Sequence, residues 1–345
     1  MRLDRNGTPF RIIGENIHAT RVLKRTGKHA VELPDGTIGI GFELDGERLV
    51  LPVHPVLAAA SDFAKGRIKH VASAVRWGMD GGEHAATAAA YIRVLAARQE
   101  AAGADWLDLN ADEISHDSDT RARAMAWLVS TVEATAKIPV AIDSSDVAVL
   151  AAGVSASRQL RGTLLLNSAS LERPEVLEIA AASNCAVVLA ASGASGMPSG
   201  VDDRIHNAIA IVELALAHLI PADFLYVDPL VLPVAAAPDA PAHVLEAARQ
   251  LRIEYGDDIH LTGGLSNVSF GMPGRKFIND AFIDLAAEAG IDSGIIDPVA
   301  SDLARVFSAS RSVDSFGLAA DVLEGRDLGG MDYVMAFREG RLTEE

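Results

Sequence analysis

Ile259-His260-Leu261-Thr262-Gly263-Gly264-Leu265-Ser266-Asn267-Val268-Ser269-Phe270 joins an apolar segment to a polar turn, and the architecture of the chain follows from that junction. Its first four residues form a short apolar run that reads as a buried strand. Two glycines then break the run into a polar turn carrying Ser266 and Asn267. A loop continues through Arg275 and Lys276, and a helix is predicted from about Phe277. In a parallel α/β protein such a turn is where chemistry sits, because the strand fixes the backbone while the loop adapts to a ligand. Ser266 and Asn267 would serve equally well as helix caps or turn formers, so the decision falls to the other strand ends.

Outward from this turn the same rhythm recurs. Strands are predicted at 10–14, 106–110, 138–142, 163–166, 186–190, 224–227, 259–262 and 293–296. Helices are predicted at 121–136, 147–153, 173–182, 203–218, 242–255, 277–289 and from about 301. Eight strands alternating with helices predict an α/β chain that closes as a single (β/α)8 TIM barrel spanning residues 1–345. The alternative, a doubly wound open sheet, is weakened because no Gly-x-Gly-x-x-Gly turn follows the first strand. The loop Gly193-Ala194-Ser195-Gly196 matches a phosphate cradle only loosely.

Two segments stand outside the rhythm. Residues 21–82 read as an insertion after the first strand, with a hairpin at 30–40 turning on Pro34-Asp35-Gly36 and a second turn at Asp45-Gly46. Its place after a strand end puts it over the ligand face, where it would shape the entrance for a second substrate. Helical spacing resumes from His84. The carboxy-terminal tail, about 321–345, has no assigned role.

Composition narrows the function classes. With 345 residues, 49% of them hydrophobic, the chain has enough apolar material for a large core. A formal net charge of −17 argues against nucleic acid or an anionic membrane surface as partner, since both need a basic face. The single cysteine, Cys185, lies in an apolar run and reads as a core residue. No secretory leader or membrane span is read in the sequence, so a cytoplasmic location is expected.

The strand ends offer Glu15 and Asn16, Asn110, Asp143, Asn167, Asp228, Asn267 and Asp297. One such residue is ordinarily a cap, whereas carboxylates and amides at nearly every strand end point to a shared ligand. Histidines spaced as metal ligands are lacking, and no Gly-x-Ser-x-Gly nucleophile turn occurs, so no metal site is predicted. Carboxylates and amides suit a flat heterocycle with an amide and amidine edge, such as a reduced pterin. A carboxylate accepts two N–H bonds from such an edge, and amides donate to its oxygen and ring nitrogens.

The runs Ile12-Ile13-Gly14-Glu15-Asn16-Ile17, Leu107-Asp108-Leu109-Asn110, Ile142-Asp143-Ser144-Ser145, Leu166-Asn167-Ser168, Tyr226-Val227-Asp228-Pro229-Leu230 and Gly264-Leu265-Ser266-Asn267-Val268-Ser269 resemble, in order, the strand ends of methyltetrahydrofolate–corrinoid methyltransferases. These share a pterin-binding barrel with the folate module of cobalamin-dependent methionine synthase and, more distantly, with dihydropteroate synthase. The resemblance implies that Asp143, Asn167 and Asp228 hydrogen-bond the pterin edge, with Glu15, Asn110 and Ser266 also in the substrate site. It implies that Asn267 is the catalytic residue beside N5, and that Arg275 lies near the ligand and meets its glutamate tail. It further implies tetrahydrofolate and 5-methyltetrahydrofolate as substrates, a cobalamin carried by a separate corrinoid-binding protein, and a homodimer. Asp112 and Glu113 depart from the family pattern by adding charge after Asn110. Dihydropteroate synthesis is the runner-up, disfavoured by the lack of a Ser-Arg-Pro-Gly-type loop after the second strand. A non-catalytic pterin-binding subunit is the alternative of a different class.

Overall fold

The structure is a computed structural model and describes residues 2–4, 6–159, 161–194 and 196–343. Ser195 of the glycine-rich loop and the last two residues of the tail lie outside the described residues. Strand β1 (Arg2–Leu3) pairs antiparallel with the start of β2 (Pro9–His18). The later strands of the main sheet are β8 (Trp106–Asn110), β9 (Val140–Asp143), β10 (Leu165–Ala169), β11 (Ala186–Ala190), β12 (Leu225–Asp228), β13 (His260–Leu261) and β14 (Ser293–Ile296). Their order is β1-β2-β8-β9-β10-β11-β12-β13, with β14 paired to β2. A parallel bridge from Gly264 to Ile295 joins the chain after β13 to β14. This is the order of a (β/α)8 barrel, and strands such as Ala186–Ala190 are buried throughout, as expected of parallel strands covered on both faces.

The helices that alternate with these strands are α4 (Ala85–Ala101), α5 (Ser118–Glu133), α6 (Val147–Ala156), α7 (Glu175–Ser183), α8 (Val201–Ala217), α9 (Ala240–Tyr255) and α10 (Arg275–Glu288). After β14 come α11 (Leu303–Ser308), α12 (Asp314–Leu323) and α13 (Met331–Arg338). Cys185 is buried, and burial pushes its thiol up to about 11, in keeping with a core role. By contact density the chain divides into two compact units, Gly14–Asn167 and Met1–Ile13 with Ser168–Glu345.

Within the first of these units, the segment after β2 differs from its sequence reading. It holds β3 (Val22–Lys24), β4 (Ala30–Glu32), β5 (Ile38–Leu44), β6 (Glu47–Pro52), the short helices α1 (Pro55–Ala58) and α2 (Ser61–Ala64), and β7 (Arg67–Lys69). The expected hairpin is present and gains a third strand, in the order β4-β5-β6. A two-residue turn at Asp45 and Gly46, both with positive φ, links the last two strands. This sheet lies against α4. Its buried Ile40, Phe42 and Leu51 face the helices, and Phe42 meets Tyr91 of α4 edge to face at 5.0 Å.

The sequence reading missed α3 (His70–Asp80), which packs against α4 and α5 through a face including Val71, Ala74 and Val75. Tyr91 lies 2.8 Å from Nδ1 of His70, and burial pushes that imidazole down to about 3, so it stays neutral. The smaller β3–β7 ribbon borders the loop after β8 through an ion pair between Lys69 and Glu113, and Arg76 of α3 donates to Ile114 O in the same loop.

Candidate functional site

In the unit Gly14–Asn167 the predicted residues form a linked set. Asn110, the last residue of β8, donates from Nδ2 to Oδ2 of Asp143 at 2.9 Å, and its Oδ1 accepts the Asp112 amide. The strand pairing places Asn110 beside Asp143, and Asp143 beside Asn167, so these three share one row across β8, β9 and β10. His18 ends β2, and its Nε2 lies 3.3 Å from the same Asp143 oxygen while Nδ1 meets Thr20 at 2.7 Å. Glu15 lies on β2 and pairs with Arg21 at 2.9 Å.

Asp108 was not singled out from the sequence. It sits inside β8, 1% exposed, with Asn167 Nδ2 at 3.5 Å. Burial, with the nearby charges of Asp143 and Glu15, pushes its carboxyl well above the usual carboxylate range, although Asn167 opposes the shift. An aspartate between two leucines of a fully buried strand is itself a signal, because such a charge persists only when neutralised or partnered. The charge at Asp112 also has a structural use. Its two oxygens accept from the Ser144 hydroxyl at 2.5 Å, the Ser145 amide at 2.9 Å and the Ser145 hydroxyl at 2.8 Å, tying the loop after β8 to the loop after β9.

In the other unit Asp228 ends β12, and its Oδ1 accepts the Leu230 amide at 2.7 Å. Burial pushes the carboxyl up to about 6, while the Leu230 amide and the charge of Arg204 pull against it. Leu230 has φ of 67°, a left-handed conformation that a branched side chain adopts only when its surroundings impose it. Arg204 of α8 does so. It is 1% exposed and donates from Nε to Pro229 O and from Nη1 to Gly200 O, both at 2.9 Å. A lone arginine on a helix gives no sign in the sequence that it lies buried under a strand end.

Ser266 and Asn267 sit in a 3-10 turn, Leu265–Ser269, directly after the bridge at Gly264. The Asn267 backbone is fixed at both ends, its amide donating to Gly264 O at 3.0 Å and its carbonyl accepting from Phe270 at 3.1 Å. Its half-buried side chain has no hydrogen bond among the described residues. A Cβ at Gly264 would stand 2.6 Å from Asn267 Nδ2, so glycine there lets the amide lie over the main chain. Arg275 begins α10, two residues earlier than expected. Its Nε donates to Ser269 Oγ at 2.9 Å and its Nη2 to Ser266 O at 3.0 Å, and its guanidinium lies 4.3 Å from the Phe270 ring centre. Asp297 serves as a turn former, accepting from Val299 and Ala300. Among the described residues no group of three His, Cys, Asp or Glu side chains is disposed to hold a metal ion, and no helix is long and apolar enough to cross a membrane.

Comparison with known proteins adds to this geometry. Residues 79–297 match the sequence profile described as pterin binding enzyme. The chain is 29% identical over 261 residues to a methylcorrinoid:tetrahydrofolate methyltransferase of Eubacterium limosum, covering 73% of this chain and 89% of that one. It is 28% identical over 210 residues to the methionine synthase of Mycobacterium tuberculosis, covering 56% of this chain and 17% of that one. Among solved structures, dihydropteroate synthase from Xanthomonas albilineans in complex with 7,8-dihydropteroate is similar, with TM-score 0.52 and 17% identity over 93% of this chain and 98% of that one. That likeness speaks to the fold.

Proposed function

The chain belongs to the family of pterin binding enzymes, and from that premise we propose that it is a methyltransferase moving the N5-methyl group between 5-methyltetrahydrofolate and the cobalt of a corrinoid on a separate binding protein. The carrying observation is Asn267, a side-chain amide on a hydrogen-bonded turn that has no hydrogen bond of its own among the described residues. The likeness to a methyltransferase named for this substrate pair supports the reading. In this reading the protein works in the cytoplasm as a homodimer.

Asp143 and Asp228 accept N–H bonds from the aminopyrimidinone edge, and Asn167 donates to its oxygen or ring nitrogen. Glu15, Asn110 and Ser266 line the same substrate. In this reading Asn110 orients Asp143 for the substrate, a role supported by the hydrogen bond from its Nδ2 to Asp143 Oδ2. In the proposed step the N5–CH3 bond breaks with its electron pair staying on N5, and the methyl carbon accepts a pair from Co(I). A tertiary amine leaves poorly, so N5 has to gain a proton from solvent, or a strong hydrogen bond, as the bond breaks. Asn267 turns its carbonyl oxygen toward protonated N5, or its NH2 toward the neutral form, and this bond strengthens as charge shifts in the transition state. The nucleophile is the cobalt, so the protein need not supply one.

The test mixes the protein, methyltetrahydrofolate and chemically reduced cob(I)alamin, and follows methylcobalamin by its absorbance. Enzyme-dependent formation of methylcobalamin is expected. A protein that binds tetrahydrofolate but forms none would be a non-catalytic pterin-binding subunit, and the reading would fall.

A further inference from the structure

We propose that the carboxy-terminal helix α13 is a strap on the loop between the Asn267 turn and α10, and that Tyr333 is a positioning residue acting on that turn through Arg275. The inference rests on the methyl-transfer reading of the turn, and α13 lies outside the stretch that matches the pterin binding family. Tyr333 is fully buried, and its hydroxyl lies 2.9 Å from Gly274 O and 3.3 Å from Pro273 O. Gly274 is left-handed, with φ of 58°, and immediately precedes Arg275. A Cβ on it would stand 2.9 Å from the Phe337 ring and 3.1 Å from the Tyr333 hydroxyl, so the strap lies directly on the backbone.

The strap is itself anchored. The Asp327 carboxylate accepts the Tyr333 amide at 3.0 Å, and Ser315 of α12 holds Thr343 O at 2.8 Å. From Gly274 the chain of contacts is short. Arg275 fastens Ser269 Oγ and Ser266 O, and these flank Asn267 on either side. Loosening Gly274 therefore loosens the arginine, and with it the aim of the amide. Recognition of the pterin edge, carried by Asp143, Asn167 and Asp228 in the proposed site, is left alone.

The test is a double-mutant cycle with Tyr333→Phe and Arg275→Ala in the full-length chain. It uses methyltetrahydrofolate and cob(I)alamin, and measures both the rate constant at saturating folate and the folate Kd. Tyr333→Phe removes one hydroxyl and is expected to lower the rate constant about fivefold, the scale of one buried hydrogen bond, with Kd changed less than about twofold. In the Arg275→Ala background the same substitution is expected to change nothing further. A merely structural role would give equal factors in both backgrounds, and that result, or an unchanged rate in the parent background, overturns the proposal. A parent chain that forms no methylcobalamin overturns the methyl-transfer reading instead, and the positioning role falls with it.

Discussion

The two units prepare their strand ends in opposite ways. In Gly14–Asn167 polar groups meet one another: Asp143 is held by Asn110 and His18, Asp108 is buried beneath Asn167, and Asp112 ties two loops together. In the other unit the side chains are held at a distance by the main chain. Asp228 takes its aim from the Leu230 amide on a turn clamped by Arg204, and Asn267 is carried on a turn whose backbone is bonded while its side-chain amide has no partner among the described residues. A network of mutually bonded side chains suits recognition, because each group arrives already oriented. A lone amide on a rigid turn suits a group whose best partner exists only during the reaction.

The largest expected effect sharpens that contrast. Asn267→Ala should slow methyl transfer by roughly 10²–10³-fold, the cost of losing one transition-state hydrogen bond, while the folate Kd changes only a few-fold. Stopped-flow methylcobalamin formation and calorimetric folate titration measure the two numbers. A variant as fast as the parent would erase the distinction between the units. Asp143→Ala should do the reverse, weakening folate binding about 10–100-fold through loss of bonds to a charged group and lowering the saturated rate much less. Equal losses of rate and affinity would mean that the linked network also takes part in chemistry.

The smallest effect concerns stability. Burial raises Asp228 from 3.8 to about 6, so between those values the folded chain binds more protons than the unfolded one. That contribution makes stability fall as pH rises from about 4 to 6 and then level off. Asp228→Asn removes the charge and keeps an oxygen for the Leu230 amide. It should therefore raise the melting temperature by a few degrees at pH 8 and change it little at pH 4. In the parent, folate affinity should weaken as pH drops through about 6. A pH-independent difference between parent and variant melting curves would show that Asp228 is not held against its ionisation.

Much of this architecture was legible in the residues. Covered parallel strands are mostly apolar and short, so 106–110, 186–190 and 293–296 are read with their observed bounds. The strand ends that carry Asn110, Asp143, Asn167 and Asp228 followed from the same pattern. What escaped depends on partners distant in the chain. Helix α3 was hidden inside a segment read for its turns, although Val71 and Val75 are spaced one helical turn apart. His18 was seen but not its bond to Asp143, which is 125 positions away. Arg204 resembles any solvent-facing arginine until Pro229 and Gly200 are placed around it.

The stretch matching the family profile ends at residue 297, yet Tyr333 grips the main chain at Gly274. The portable part of this protein is consequently longer than the stretch that matches the family. Grafting residues 79–297 into a fusion, or trimming to that boundary for crystallisation or recombination, would discard the clasp together with β2 and its Glu15, while keeping Asn110, Asp143, Asn167, Asp228 and Asn267. A chimera built that way would carry most of the recognition set and a turn no longer held from behind.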